Sequence, residues 1–280
     1  MAYKTVLVHL NNERRAARLI AFATEFAETH GSHLIGLFVV PLPVVLNEWP
    51  DIAIAEMIEA QRKAHRDEGK RVGALFREKT KHLSRPSEWR VADSQYATAS
   101  DALVLNARAA DIVIAPQADA DWPLTHIFDV ADAAILESGR PVLVIPSSGG
   151  VTASPARVTV AWNSRRESTR AAFDAIPILQ NAAATEVVWA DPRVGSNKAG
   201  DLPCAELAAT LARHGVRSEA KVITAEDSGV GEALLTCAKD SKSDLLVIGA
   251  YGHSRLREFV LGSATRQVLK GLSLPVFFSH

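Results

Sequence analysis

The sequence predicts an α/β protein built as two tandem doubly wound units, each a five-stranded parallel sheet of order 3-2-1-4-5 flanked by helices. Three observations predict it. First, the chain repeats itself. Lys4–Asn11, KTVLVHLN, is echoed by Ala156–Asn163, ARVTVAWN, and both segments end on Asn. Second, the runs DIVIA, DLLVIG and RPVLVIP are almost continuously apolar, as strands buried on both faces of a parallel sheet must be. Third, such runs alternate with helical patterns, which puts the sheet between two helix layers.

In chain order, KTVLVHLN reads as the first strand. ERRAARLIAFATEFAETHG follows with Ala17, Ile20, Ala21, Ala23, Thr24 and Ala27 roughly at three-and-four spacing, the pattern of a helix. SHLIGLFVV reads as the second strand. The long stretch DIAIAEMIEAQRKAHRDEGKRVGALFREKTKHL reads as a helix whose interleaved charges form a solvated face. A docking surface or a lid is the alternative, with Trp49, Ile52 and Met57 as its apolar residues. SEWRVADS reads as the third strand, ALVLNARAADIVIAP as a helix and the fourth strand, and SGRPVLVIPS as the closing strand.

PSSGGVTASP, Pro146–Pro155, has the Gly, Ser, Thr and Pro content of a linker. The expected domains are therefore 1–147 and 153–280. In the second, strands are expected near 156–162, 185–190, 216–224, 244–249 and 274–278, and helices near 166–181, 203–214, 229–241 and 262–271, with boundary errors of about two to four residues.

Composition narrows the function. A net charge of -1 gives no global field to recruit nucleic acid or an anionic membrane, so neither is expected as a partner. The longest apolar stretch, Leu34–Leu46, is too short to span a bilayer and contains two prolines. The opening MAYKTVLVHLNNERR reads as a strand rather than a signal peptide, and a cytoplasmic location is expected by default. Cys204 and Cys237 stand alone, which suits a reducing compartment and buried, unreactive thiols. The nine histidines are scattered, and HExxH, HxH, CxxC, GxSxG and GKS/T motifs are all absent. No metal ligand and no catalytic residue is expected.

One loop stands out. GAYGHSRLREFVLGSATRQVL, Gly249–Leu269, leaves the fourth strand of the second unit. In an open parallel sheet ligands bind at the carboxyl ends of the strands where strand order reverses, here between strands 1 and 4. Gly249 and Gly252 are expected to turn the backbone at positive φ and to admit a ligand closely. Gly262-Ser263 opens a helix whose free N–H groups favour an anion. His253, Arg255 and Arg257 add charge, although Arg257 has Glu258 beside it as another partner. Glycine at a strand end and Gly-Ser before a helix are also ordinary punctuation.

The spacing Gly249-x2-Gly252-x9-Gly262-Ser263, the wording GHSRLREFVLGSATRQVL, the closing LPVFF and the segment VTVAWNSRRESTRAAFDAIPIL together resemble the ATP-binding branch of the universal stress protein family, in its tandem bacterial form. The resemblance implies a flavodoxin-like or Rossmann-like fold, a cytoplasmic location and a regulatory or signalling role in stress tolerance. It also implies one ATP in the second domain. Gly249, Gly252, Gly262 and Ser263 would surround the phosphates, and Ala161, Asn163, Ser164, Asp191, Ala250, His253, Arg255, Ala264 and Thr265 would complete the site. Many family members pair through the last strand. A tandem chain can satisfy that pairing internally as a pseudo-dimer, which leaves a monomer and a further homodimer both open.

Two departures bear on function. The family's Asp at the end of strand 1 is Asn163, which offers a hydrogen bond but no charge to Mg²⁺ and no general base. The first half has Pro116 where Gly249 stands, and QADADWPLTHIFDVAD replaces the glycine loop. Asp119, Asp121 and Asp129 would repel phosphate. No nucleotide is expected there; Trp122 or Phe128 fills the pocket, or an apolar or uncharged ligand does. Ser164 and Ser168 are expected to cap the helix after strand 1. Asp191 is the carboxylate left near the loop, either ending its strand or touching adenine or ribose. The alternatives to a nucleotide-binding regulator, which would act with a protein partner that the sequence does not name, are a slow ATP-hydrolysing enzyme and a nucleotide-independent scaffold.

Overall fold

The computed structural model describes residues 3–41, 51–93, 98–118, 130–191, 204–225, 228–252 and 264–280. Contacts divide the chain into two compact units, Tyr3–Ser138 and Gly139–His280.

In the first unit β1 (Thr5–His9) pairs in parallel with β2 (His33–Val40) and β4 (Ile112–Pro116), and β2 pairs with β3 (Ser87–Asp93). The order is β3-β2-β1-β4. Val6, Leu7 and Val8 are fully buried, as the continuous apolar run required. Helix α1 (Glu13–His30) starts where the Asn12 side chain accepts the N–H of Arg15, and ends at Gly31 in the left-handed region with φ 61°. Its inner stripe is Ala16, Leu19, Ile20, Phe22, Ala23, Phe26 and Ala27. Helix α2 (Asp51–Thr80) buries Val72 and Phe76 and carries charge pairs elsewhere, including Arg71 to Glu13 and Arg66 to Asp93, both at 2.9 Å. Of the residues expected to mark a lid, Met57 is half-buried, while Trp49 and the Ile52 side chain lie outside the described residues. Helices α3 (Ala99–Ala107) and α4 (Ala131–Glu137) complete the unit, α3 with a Thr98/Asp101 capping box.

The second unit contains β6 (Arg157–Ala161), β7 (Ala184–Ala190), β8 (Ser218–Ile223), β9 (Leu245–Gly249) and β10 (Val276–Ser279), all parallel to their neighbours in the order β8-β7-β6-β9-β10. Counted from its own first strand this is the expected 3-2-1-4-5. Strand β5 (Val142–Ile145), which closes the first repeat in sequence, runs antiparallel to β10, with Val144 opposite Val276 and Val142 opposite Phe278. The helices are α5 (Arg166–Asp174), α6 (Ile176–Leu179), α7 (Ala205–Arg213), α8 (Val230–Asp240) and α9 (Ala264–Lys270). The single helix expected over 166–181 is interrupted at Ala175, because Pro177 has no N–H to continue the ladder.

The repeat extends to a device that the alignment of apolar runs does not display. The Asp111 carboxylate accepts the N–H groups of Lys4 and Thr5 at 2.8 and 2.9 Å. The Asp244 carboxylate accepts those of Ala156 and Arg157 at the same two distances. Each Asp stands just before the fourth strand of its repeat and fixes the start of the first. Both cysteines are free and buried, and burial raises the pKa of the Cys204 thiol. Among the described residues no helix is long and apolar enough to cross a membrane.

Candidate functional site

Within the second unit two turns meet at the carboxyl edge of the sheet. The first leaves β6. Ala161 is buried, and the Trp162 N–H still donates to the Val188 carbonyl at 2.8 Å. The chain then bends: Asn163 Oδ1 accepts the N–H of Arg165 at 3.1 Å, and Ser164 sits in the left-handed region at φ 58°. Ser168 Oγ accepts the same N–H at 3.2 Å and donates to the Arg165 carbonyl at 2.9 Å, so the capping role belongs to Ser168 rather than Ser164.

The second turn leaves β9. The Ala250 N–H donates to the Ser279 carbonyl at 2.8 Å, which keeps the chain in register with β10 for one more residue. The Tyr251 N–H then donates to Thr265 Oγ1 at 3.1 Å. Thr265 is buried at the start of α9, so this bond fastens the beginning of the glycine loop to its end. The two turns are joined by Arg165, whose guanidinium donates to the Gly252 carbonyl at 3.4 Å.

The glycines do not supply the positive φ that the spacing suggested. Neither Gly249 nor Gly252 has positive φ; the left-handed residue is Tyr251 between them, at φ 54°. A Cβ on Gly249 would lie 2.4 Å from both Glu167 C and Ser168 N, backbone atoms in the first turn of α5. Gly249 therefore lets α5 lie directly on the end of β9. A Cβ on Gly252 would meet side chains alone, Glu167 Oε2 at 3.1 Å and Arg165 Cδ at 4.0 Å.

The structure thus gathers Ala161, Asn163, Ser164, Gly249, Ala250, Gly252, Ala264 and Thr265 around two adjoining turns. Asp191 is further along the edge, at the end of β7. It adopts φ 45°, and its carboxylate accepts the Ala225 N–H at 3.1 and 3.2 Å, which ties the ends of β7 and β8 together. His253, Arg255, Gly262 and Ser263 lie outside the described residues. Two residues that sequence reasoning did not select, Arg165 and Glu167, take part in the junction. The signal was available in the run SRRES directly after the first strand of the repeat.

The corresponding edge of the first unit is built from other groups. The Arg15 guanidinium donates to the Gln117 carbonyl at 2.5 Å, and Pro116 ends β4. His9 is fully buried, and among the described residues neither ring nitrogen has a hydrogen-bond partner. Burial alone lowers its pKa from the ordinary 6.5 to about 4. Asp119, Asp121, Trp122, Phe128 and Asp129 lie outside the described residues.

The loop fastening is open to direct test. Thr265→Val keeps the shape and removes the acceptor, so the domain should still fold with stability lower by about 1 kcal/mol. The Tyr251 amide should lose protection in hydrogen exchange while the β9 amides keep theirs. Unchanged protection at Tyr251 would show that the bond does not hold the loop.

The universal stress protein family model matches residues 157–280. Residues 157–280 form a universal stress protein domain. Its first strand is β6 and its last is β10, so both turns of the junction lie inside it. Over 45 residues, 16% of either chain, the protein is 51% identical to universal stress protein Slr1230 of Synechocystis sp.. The chain thus spans only a small part of that relative's length. The likeness of fold extends much further than the domain. A universal stress protein from Archaeoglobus fulgidus superposes with a TM-score of 0.69 over 98% of this chain and 95% of its own, at 16% identity. A functionally unknown protein from Pseudomonas aeruginosa PAO1 gives 0.59 over 99% and 92%, also at 16% identity. The first half is therefore included in the shared fold, although the family match is confined to the second.

Proposed function

We propose that the chain is a cytoplasmic stress-response protein in which the universal stress domain, 153–280, binds one adenine nucleotide, ATP, and acts as a regulatory or signalling element through a protein partner. The first domain, 1–147, acts without nucleotide. The observation that carries this reading is the junction itself. A loop with the spacing Gly249-x2-Gly252-x9-Gly262-Ser263 leaves β9 directly beside the turn after β6, and its two ends are fastened by Tyr251 and Thr265. Glycine spacing of this kind suits close approach to phosphate oxygens.

A binding role is favoured over hydrolysis by what the carboxamide and carboxylate at this edge already do. Asn163 Oδ1 is engaged by the Arg165 N–H, and Asp191 by the Ala225 N–H. Asn163 is a carboxamide and offers no general base, and the Asp191 carboxylate ties the ends of β7 and β8 together. Pairing of β10 with β5 supports the pseudo-dimer reading, since the strand through which family members associate is used inside the chain.

The test is to denature freshly purified protein, identify the released small molecules by mass spectrometry and measure their amount per chain. A single adenine nucleotide per chain is expected. Two would overturn the nucleotide-free first domain. Gly262→Asp should fold and lose at least about tenfold in ATP affinity, because a carboxylate at the loop repels phosphate. Unchanged affinity would remove the site assignment.

A further inference from the structure

The amino edge of the sheet in the second unit, opposite the glycine loop, holds a cavity of about 470 Å³. That is the size of a small-molecule site. Its lining follows from strand register. Arg157 opens β6 opposite Ala184 of β7, and Thr185 pairs with Ser218 of β8, so Arg217 stands one step earlier beside Ala184. Partners in register share a face of the sheet. Arg157, Ala184 and Arg217 therefore form one row, two guanidinium side chains flanking a methyl. The two arginine Cα atoms are about 10 Å apart, two strand spacings. All three residues line the cavity.

The next row on that face, Thr159, Glu186 and Glu219, shows which groups are already engaged. Glu186 accepts the Ser241 hydroxyl at 2.6 Å and the Lys221 ammonium at 3.1 Å. The Thr159 and Ser243 hydroxyls bond each other at 2.8 Å. Neither the Arg157 nor the Arg217 guanidinium makes an ion pair or a side-chain hydrogen bond among the described residues. Lys239, in the last turn of α8, already answers the partial negative charge of that helix end. With Lys221 set against Glu186, the two arginines outnumber the remaining lining carboxylate, Glu219.

The first repeat provides the comparison. Thr5 is the counterpart of Arg157, since Asp111 accepts the N–H of one as Asp244 accepts that of the other. The matching row there is Thr5, His33 and Pro86. Its middle place carries an imidazole, with His33 Nε2 3.5 Å from Glu88 Oε2. The frame thus folds without either arginine and with the gap filled. What the second repeat adds is a pair of forked cations across an open gap, the arrangement that holds an oxyanion through paired N–H donors.

We propose that this row is a second ligand site, for a small molecule carrying a doubly charged oxyanion, either a phosphate monoester or a dicarboxylate. The anion sits over Ala184 between the two guanidiniums. The site is built wholly from described residues and does not rest on the nucleotide reading of the opposite edge.

The experiment follows the backbone amides of the full isotope-labelled chain by NMR during titration with glycerol 3-phosphate and, separately, with succinate. At least one probe should shift the amides of Ala183–Glu186 and Arg217–Glu219 saturably. Arg157→Gln and Arg217→Gln should each weaken that binding at least about tenfold, since each removes a charge-assisted pair. Both positions are exposed, so the urea midpoint should stay in place. Ala184→Leu keeps both charges and fills the gap, and it should weaken binding as much. A response to glycerol 3-phosphate alone assigns a phosphate ester, to succinate alone a dicarboxylate, and to both a site selective for charge rather than shape. No saturable shift with either probe overturns the proposal. So do shifts confined to the glycine-loop edge, and so does an Ala184→Leu variant that binds like the wild type.

Discussion

Gly249→Ala should destabilise the second unit by about 3 kcal/mol, at the upper end of what overpacking costs, and should lower its urea midpoint. The added methyl would sit 2.4 Å from two backbone atoms of α5. No side-chain rotation relieves such a contact; the helix must move off the strand or the strand must bend. Gly252→Ala is the matching control. Its nearest neighbour is the flexible end of Glu167, at 3.1 Å, so stability should change by less than about 1 kcal/mol. ATP affinity should fall in both variants, for different reasons. Gly249→Ala loses the folded junction, whereas Gly252→Ala keeps the fold and obstructs the ligand. Equal midpoints for the two variants would show that the close approach of α5 to β9 is not what Gly249 serves.

The second large effect concerns acid. His9 is enclosed in the first unit, both nitrogens without partners among the described residues, and its pKa is lowered from 6.5 to about 4. In the unfolded chain the ring takes up a proton as pH falls through 6.5; in the folded chain it does so only near 4. Between these values the unfolded state binds more protons, so stability declines as pH falls. The linkage amounts to about 3 kcal/mol by pH 4, on top of the general effect of the carboxylates. His9→Leu removes the titrating group and keeps an apolar side chain in the same space. The variant should therefore match or exceed wild-type stability at pH 5, and its stability should vary less between pH 7 and pH 4.5. Parallel pH profiles for the two proteins would mean that the ring is hydrated or paired in solution.

The fold was largely legible because its signals are redundant. Repetition of KTVLVHLN in ARVTVAWN, unbroken apolar strands and helical spacing all indicate one architecture, so an error in any one of them changes little. Pro177 shows the limit within an element: apolar spacing continues across it, and only the missing N–H interrupts the helix. The site was legible as a place rather than as a mechanism. Sequence spacing marks Gly249 and Gly252 as special, yet it cannot distinguish a glycine that clears space for a ligand from one that clears space for a neighbouring helix. The left-handed residue proved to be Tyr251, for which no propensity rule would have argued. Arg165 and Glu167 escaped notice because a charged run at a helix start ordinarily faces solvent. Their roles depend on β9 lying alongside β6, a neighbour more than eighty residues away in the chain.

The bond between Tyr251 and Thr265 has a further consequence, for how such chains can diversify. A fastened pair at the base of a loop sets the entropy of closing it once, and that entropy changes only slowly with the number of residues enclosed. The segment between them can then be exchanged, shortened or lengthened as a cassette, with β9 on one side and α9 on the other experiencing the same boundary. The two repeats of this chain carry different cassettes after their fourth strands, one rich in glycine and one in aspartate, on closely related frames. A transplanted loop inserted between residues 251 and 265 should thus alter what the domain recognises while leaving its unfolding temperature nearly unchanged.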